Sequence, residues 1–587
     1  MRLRAALFVA VLALSAATHS QELGVIDFPT SGNAAAQPLF IKGVLLMHSF
    51  EYDDAREAFV AAEKADPGFA MAYWGEAMTF NQAVWQRTSP DLAKAALAKL
   101  APTADARRAK APTEKEKEWL AAVEILVGRG DASTSPSAGK PARDLAYSDA
   151  MKKMAEKYPN DDEVKVFYAL SILGSNNGPR DNALYMRAAA IAEQVYAKNP
   201  QHPGAIHYLI HAYDDPAHAP LGLKYADAYS KIAPAASHAL HMPSHIYVAM
   251  GMWDEASAIN ERSVKAADAR REAKKLDVDQ RGFHALLWLV YSYTQQGRYD
   301  DARGVMAQLE AAAKESGSER TRSHLALARA AWLIETRKWT DAKTPVDPTG
   351  LARDVVAAEL FANGFAAART GNRTGIANAM QQMAALMEEA PMNLAPVRNG
   401  AARGSLPGIA PITPGPVAVP APGTKPQAPK APQALQAPSS VGLPTAGGGG
   451  DPRVSQVMAQ QLEAALLFGE GRREEGLVLA RQAAVVESTL AFEFGPPVPV
   501  KPVNEQVGEM LMDLRRPKEA MEAFQLSLQR TPKRALSLLG LARAAMAAKD
   551  IPTAQRAYGD LREIWKKADK NLPELKELGL LPPPSSR

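Results

Sequence analysis

Small and aromatic residues recur along this chain at a spacing that leaves little choice of fold. Ala55, Phe59, Ala62 and Pro67 follow Gly43, and Ala520, Phe524 and Pro532 follow Gly508. The alanine–aromatic pair returns as Ala554 and Tyr558, 34 residues after Ala520 and Phe524. Weaker copies fill the middle of the chain. Two corners have the form Gly-x-aromatic-acidic-x-Ala, at Gly251-Met252-Trp253-Asp254-Glu255-Ala256 and Gly297-Arg298-Tyr299-Asp300-Asp301-Ala302. Trp339-Thr340-Asp341-Ala342 is a third, and Ala188, Ala192 and Pro200 mark one more repeat. Glycine suits the left-handed end of a helix. Small residues at fixed places let helices approach closely, and the aromatic fills the corner. Such a unit cannot bury its apolar face alone, so units must stack.

The pattern resembles the tetratricopeptide repeat (TPR), a helix–turn–helix unit of about 34 residues. The expected fold is therefore all-α, a TPR-like α-solenoid, spanning 21–390 and resuming over 453–587. Two stretches break the pattern. Residues 128–143 read as a polar loop. Residues 391–452 are dense in Pro, Ala and Gly, cannot bury a core, and are expected to be a disordered or polyproline-like linker.

Composition narrows the function classes. Hydrophobic residues make up 47% and charged residues 22%, enough apolar content for a large core. The 68 basic and 64 acidic residues nearly balance and form no basic stripe, so no nucleic-acid partner is expected. Residues 1–20 read as a secretory signal, with Arg2 and Arg4 before an apolar run at 5–17 and small residues Ser15, Ala17 and Ser20 for cleavage. A periplasmic or secreted protein is expected, with no membrane span once the signal is removed. There is no cysteine, so a soft-metal site must use His or Met rather than thiolate.

Seven of the 11 histidines fall between His202 and His245. His207 and His211 are four residues apart, as are His241 and His245, so on a helix each pair shares a face. With each repeat numbered from residues other than histidine, both pairs fall on the inner face of first helices in adjacent repeats. His238, His284 and His324 take a further inner-face position in successive repeats. Adjacent packed helices lie about 8–10 Å apart, so the four imidazoles of His207, His211, His241 and His245 can converge on one copper or zinc ion, with His238 in support. Asp214 and Asp215 are candidate orienting carboxylates, because a ligating imidazole usually donates its other N–H to a partner. The alternative is a set of groove histidines that contact a peptide. His48 stands apart from the cluster, and His218 sits in a loop from which it could swing toward the groove. Glu505 and Glu509 form an acidic pair with the same inner-face placement, readable as solvated carboxylates, a hard-cation site or an acid–base pair.

Several segments also resemble a group of exported bacterial tetratricopeptide proteins. They are Met71-Ala72-Tyr73-Trp74-Gly75-Glu76-Ala77, the stretch His202-Pro203-Gly204 through Ala212-Tyr213-Asp214, His238-Ala239-Leu240-His241-Met242-Pro243-Ser244-His245-Ile246, Glu493-Phe494-Gly495-Pro496-Pro497 through Lys501-Pro502, and Ser537 through Ala544. Similar proteins often follow the first motif with Asn-His-Pro-Leu-Trp, whereas this chain has Asn81-Gln82-Ala83-Val84-Trp85. The resemblance implies the fold and the histidine segment, and no reaction. Three functions stay open: an exported scaffold that binds a protein or peptide in its concave groove, a copper or zinc protein for storage, delivery or sensing, and a metallohydrolase with Glu505 or Asp214 as base.

Overall fold

A computed structural model describes residues 23–128, 139–388, 451–492 and 495–579. The signal segment at 1–20, most of the polar loop and all but the end of the proline-rich segment lie outside these residues. The end of the polar loop is helical, because a helix already runs over Lys140–Lys157. The second array starts with the helix Pro452–Gly469, which Asp451 caps by accepting from the Arg453 N–H.

The described residues form a TPR-like α-solenoid of antiparallel helix pairs, and their one sheet is a two-stranded hairpin pairing Asn81–Gln82 with Arg87–Thr88. No described helix is long and apolar enough to cross a membrane. A backbone marker identifies the repeats. Phe50, Gly251, Gly297, Arg337, Gly371, Gly471, Arg515 and Lys549 all have positive φ. Each stands two residues before the next helical segment, at Tyr52, Trp253, Tyr299, Trp339, Arg373, Arg473, Pro517 and Ile551. The left-handed residue reverses the chain between the helices of a pair. Glycine adopts it at no steric cost, whereas other residues do so uncommonly.

Packing within the repeat follows from the small–aromatic code. A Cβ on Gly43 would lie 2.6 Å from the Phe59 ring, and one on Gly75 only 2.3 Å. Phe59 is thus clamped between the first helices of consecutive repeats. Phe524 repeats the arrangement between Gly508 and Gly540, at 2.8 and 2.3 Å. Gly540→Ala is expected to destabilise the protein by about 1–3 kcal/mol through overpacking. A urea midpoint unchanged from wild type would contradict this clamp.

The solenoid closes on itself. The helix Gln37–His48 packs against the helix Pro203–Tyr213, far along the chain. The N-terminal segment straps onto the same region, with the Val25 N–H donating to Gln201 O at 3.0 Å. At the other end, the C-terminal repeats fold back onto the corners of the middle repeats. Trp253 Nε1 donates to Lys533 O (3.0 Å), Trp565 Nε1 donates to Gln295 O (2.9 Å), and the Asp569 N–H donates to Gly297 O (3.0 Å).

A buried ionic cluster joins the same two parts. The Arg534 guanidinium donates to Glu505 at 2.7 Å and to Glu335 at 2.6 Å, and Lys501 donates to Glu505 at 2.8 Å and to Glu509 at 3.0 Å. Glu505 is therefore not solvated. It is fully buried, and burial alone would raise its pKa. The charges of Arg534 and Lys501 outweigh that and hold it well below the usual carboxylate range. Glu509 is paired with Lys501 and Arg337. Two cations already occupy the space that a hard cation would need, and Ser537 Oγ also donates to Glu505 at 2.7 Å. This pair is held as a structural clamp rather than as an acid–base couple.

Candidate metal centre

Five helical segments bring the histidines together. His207 and His211 lie one turn apart on Pro203–Tyr213. His238 and His241 lie on the short helix Ser237–His241, and His245 on Pro243–Ala249. The helix expected to carry both His241 and His245 is thus interrupted. Pro243 has no N–H to continue the ladder, and the chain restarts after Met242. The two rings nevertheless stay 5.1 Å apart, centroid to centroid. His284 enters from Phe283–Gln295 and His324 from Glu319–Thr336.

The four imidazoles of the two pairs are divided between two triads. Ligand nitrogens of His207, His211 and His238 lie within 4.8 Å of one another, and so do those of His241, His245 and His284. Asp214 stands between the triads, in a third group with His211 and His245. His324 belongs to neither triad, its ring lying 6.4 Å from that of His284. His218 also stays outside, held by Asp215 at 2.7 Å instead of turning inward.

Tautomers follow from the partners. His207 Nδ1 faces the backbone carbonyl of His48 at 2.6 Å, which can only accept, so this nitrogen carries the proton. His324 Nδ1 likewise donates to Arg320 O at 2.7 Å. His241 Nδ1 faces Asn260 Oδ1 at 2.7 Å, while Asn260 Nδ2 is committed to Ala256 O at 2.8 Å. The amide oxygen therefore accepts from the ring. His245 Nδ1 donates to Asp214 Oδ2 at 3.1 Å. In a neutral imidazole donating from Nδ1, the lone pair is on Nε2. Among the described residues, Nε2 of His207, His241 and His324, both ring nitrogens of His238 and Nδ1 of His284 have no hydrogen-bond partner. A buried polar atom left unsatisfied costs about 1–3 kcal/mol. Fixing one ring nitrogen while aiming the other inward is how proteins present imidazole to a metal.

Burial is deep, with none of the six triad histidines more than 4% exposed. It pushes the pKa of His207, His238, His241 and His284 well below the ordinary imidazole value, and like charge on neighbouring histidines lowers it further. His245 is lowered less, because Asp214 opposes the effect of burial. Burial would raise Asp214, but the Arg180 charge at 2.6 Å, the hydrogen bond from His245 and the nearby His211 ring hold it well below the carboxylate range. An aromatic ring walls each triad. Phe50 lies 4.3, 5.8 and 5.5 Å from His207, His211 and His238, and Trp288 lies 4.7, 4.7 and 5.4 Å from His241, His245 and His284. Phe50 occupies the corner position that Gly251 and Gly297 fill elsewhere, with φ 55°. A bulky residue there costs on the order of 1–3 kcal/mol, and its ring covers the first triad.

His48 is close to the cluster although the sequence sets it apart. Its ring lies 5.1 Å from that of His202, and Glu163 sits between them at 2.8 Å from His48 Nε2 and 3.2 Å from His202 Nε2. This group differs chemically from the triads. His48 Nδ1 meets the Tyr208 hydroxyl at 2.9 Å, and His202 Nδ1 accepts from the Ala205 N–H at 3.3 Å. Its polar atoms are turned toward one another, as in a structural network. Burial would raise Glu163, but the charges of His48 and His202 hold it down to about 2.

The sequence pattern does not single out Glu163, Asn260 or Arg180. Each lies on a different helix or loop from the group it serves, so no local spacing marks it. Phe50 could have been found, because it stands where the repeat calls for glycine.

The inner-face histidines are covered by the chain itself, so they do not line a groove open to a peptide. A small cavity of about 20 Å³ borders His245, between Tyr291, Trp253 and the segment containing Phe492 and Gly495. A Cβ on Gly495 would lie 2.5 Å from the Trp288 ring, which shows how closely this segment covers the second triad.

Fold and site together define a closed TPR-like α-solenoid with a buried polyhistidine interior. Among solved structures, the chain is similar to the APC/C hetero-tetramer Cut9–Hcn1, at 10% identity over 92% of this chain and 75% of that one, with a TM-score of 0.35. Yeast Tom70 is similar at 10% identity over 91% and 92%, with a TM-score of 0.29. Human IFIT1, solved as a dimer with m7Gppp-AAAA, is similar at 11% identity over 93% and 92%, with a TM-score of 0.34. No protein-family model and no curated protein matches the chain.

Proposed function

We propose that this chain is an exported helical-repeat scaffold that holds transition-metal ions, copper or zinc, inside its closed solenoid. The observation that carries the reading is the pairing of fixed Nδ1 atoms with buried, unpartnered Nε2 atoms on His207 and His241. An all-imidazole donor set suits copper or zinc, and three such donors leave a fourth position open. Export is supported by the basic and apolar pattern of residues 1–20. Binding of a protein partner is the broader reading of a repeat scaffold, and such a partner would dock away from the covered histidines. Hydrolysis has less support, because Glu505 is bound by Arg534, Lys501 and Ser537, and Asp214 by Arg180.

Elemental analysis of the full chain, purified without an affinity tag and loaded with copper or zinc, is the direct test. At least one tightly held ion per chain is expected. Changing His207 and His241 together to alanine is expected to abolish that binding while leaving far-ultraviolet circular dichroism unchanged. Wild-type protein that emerges metal-free after loading would overturn the proposal.

A further inference from the structure

We infer that the interior holds two ions rather than one, and that Asp214 is a positioning residue shared by both. The inference rests on the metal-holding reading above. Each triad supplies three imidazoles and its own aromatic wall, so each is complete as a three-nitrogen site. The triads meet at one carboxylate. Asp214 Oδ2 lies 3.1 Å from His245 Nδ1 in one triad and 3.6 Å from His211 Nδ1 in the other. Its second oxygen is held by the Arg180 guanidinium at 2.6 Å. Arg180 also donates to Ala212 O at 2.7 Å, which ties the carboxylate to the end of the helix carrying His207 and His211.

With Oδ1 committed to Arg180, Asp214 acts from the outer sphere, through a hydrogen bond from His245 Nδ1 in one triad and a longer, ion-pair contact with His211 Nδ1 in the other. Orienting partners of this kind typically change metal affinity about 10–100-fold. Here one residue serves two ions. The triads abut, with the rings of His211 and His245 5.4 Å apart and those of His238 and His241 5.9 Å apart. The His48–Glu163–His202 group differs in donor set, because its carboxylate already lies 2.8 Å from one ring and 3.2 Å from the other.

The test is a copper(II) titration of the chelator-treated full chain, read by bound metal and by electron paramagnetic resonance. Two equivalents are expected in wild type, with a half-field signal from two interacting ions. His238→Ala and His284→Ala should each retain one equivalent and lose that signal. Asp214→Asn should weaken both sites about 10–100-fold and shift the copper hyperfine splitting at both. Saturation at one equivalent would overturn the two-ion inference and leave the metal reading standing, whereas no binding at all would overturn both. Two magnetically isolated ions, or an Asp214→Asn effect confined to one site, would overturn the shared role of Asp214. The wild-type spectrum does not depend on any variant folding.

Discussion

Arg534→Met is expected to cost about 3–5 kcal/mol of stability, because it leaves two carboxylates in the interior short of their counter-charge. Arg534 is fully buried and lies 2.7 Å from Glu505 and 2.6 Å from Glu335. Methionine retains most of the apolar volume, so the loss is electrostatic rather than a cavity. Glu505 keeps Lys501, but Glu335 retains only its hydrogen bond from Gln295 at 2.8 Å. Burial already raises the Glu335 pKa with the arginine in place. Glu335→Gln in the same chain should therefore recover much of the loss, a non-additive result expected of groups in one network. Glu335 lies in the middle repeats, and Arg534 and Glu505 in the C-terminal ones. The single variant should therefore also expose the junction between them to limited proteolysis. Urea unfolding followed by circular dichroism measures the first effect. A change below about 1 kcal/mol, in the range of a surface pair, would contradict the buried cluster.

The second large effect is acid lability of the metal-free protein, beginning near pH 6.5. Burial lowers the pKa of His48, His207, His238, His241, His245, His284 and His324, the last to about 3. Above the unfolded value of 6.5 these rings are neutral in both states and impose no penalty. As the pH falls below it, the unfolded chain binds protons that the folded chain excludes, so stability drops. Each tenfold weakening of proton binding in the folded chain is worth about 1.4 kcal/mol, and several rings act over the same interval.

The carboxylates follow later. Glu163, held to about 2, loses its contribution only as the pH falls from the ordinary 4.5 toward 2. Glu487, raised to about 7 chiefly by burial, has the opposite sign, favouring the folded state at acid pH and losing that contribution as the pH rises through 7. Burial also raises Glu51, Glu63, Asp144, Glu335 and Glu359, Glu63 to about 8, and these act with the same sign as Glu487. Four of the rings are lowered well below 6.5, so chelator-treated protein should still show a urea midpoint that falls between pH 6.5 and 4.5. A midpoint that is flat over that interval and falls only below 4.5 would mean that the histidines are not held neutral by burial.

Much of this molecule could be read from sequence order. Ala55 and Phe59 with Gly43, and Ala520 and Phe524 with Gly508, identify a repeat because the code is local. Each residue serves the helix pair that contains it and the next one. The inner-face placement of His207, His211, His238, His241, His245 and His284 was legible for the same reason, since helical periodicity and repeat register place a side chain on a face. Neither rule places two distant segments relative to each other. The His48 carbonyl meets His207 only after the solenoid has curled.

The chain's order of residues determined that it would form stacked helix pairs with imidazoles turned to the inside, because periodicity acts over one or two repeats. Tertiary structure alone decided that this inside would be sealed, that four expected donors would be shared between two triads, and that Glu505 would be a buried clamp. Those outcomes depend on how small angles between successive repeats accumulate, and on which buried charges then come close enough to pair. Pro243 belongs to the first level, since it interrupts the hydrogen-bond ladder while helical dihedrals at Met242 keep His241 and His245 side by side across it.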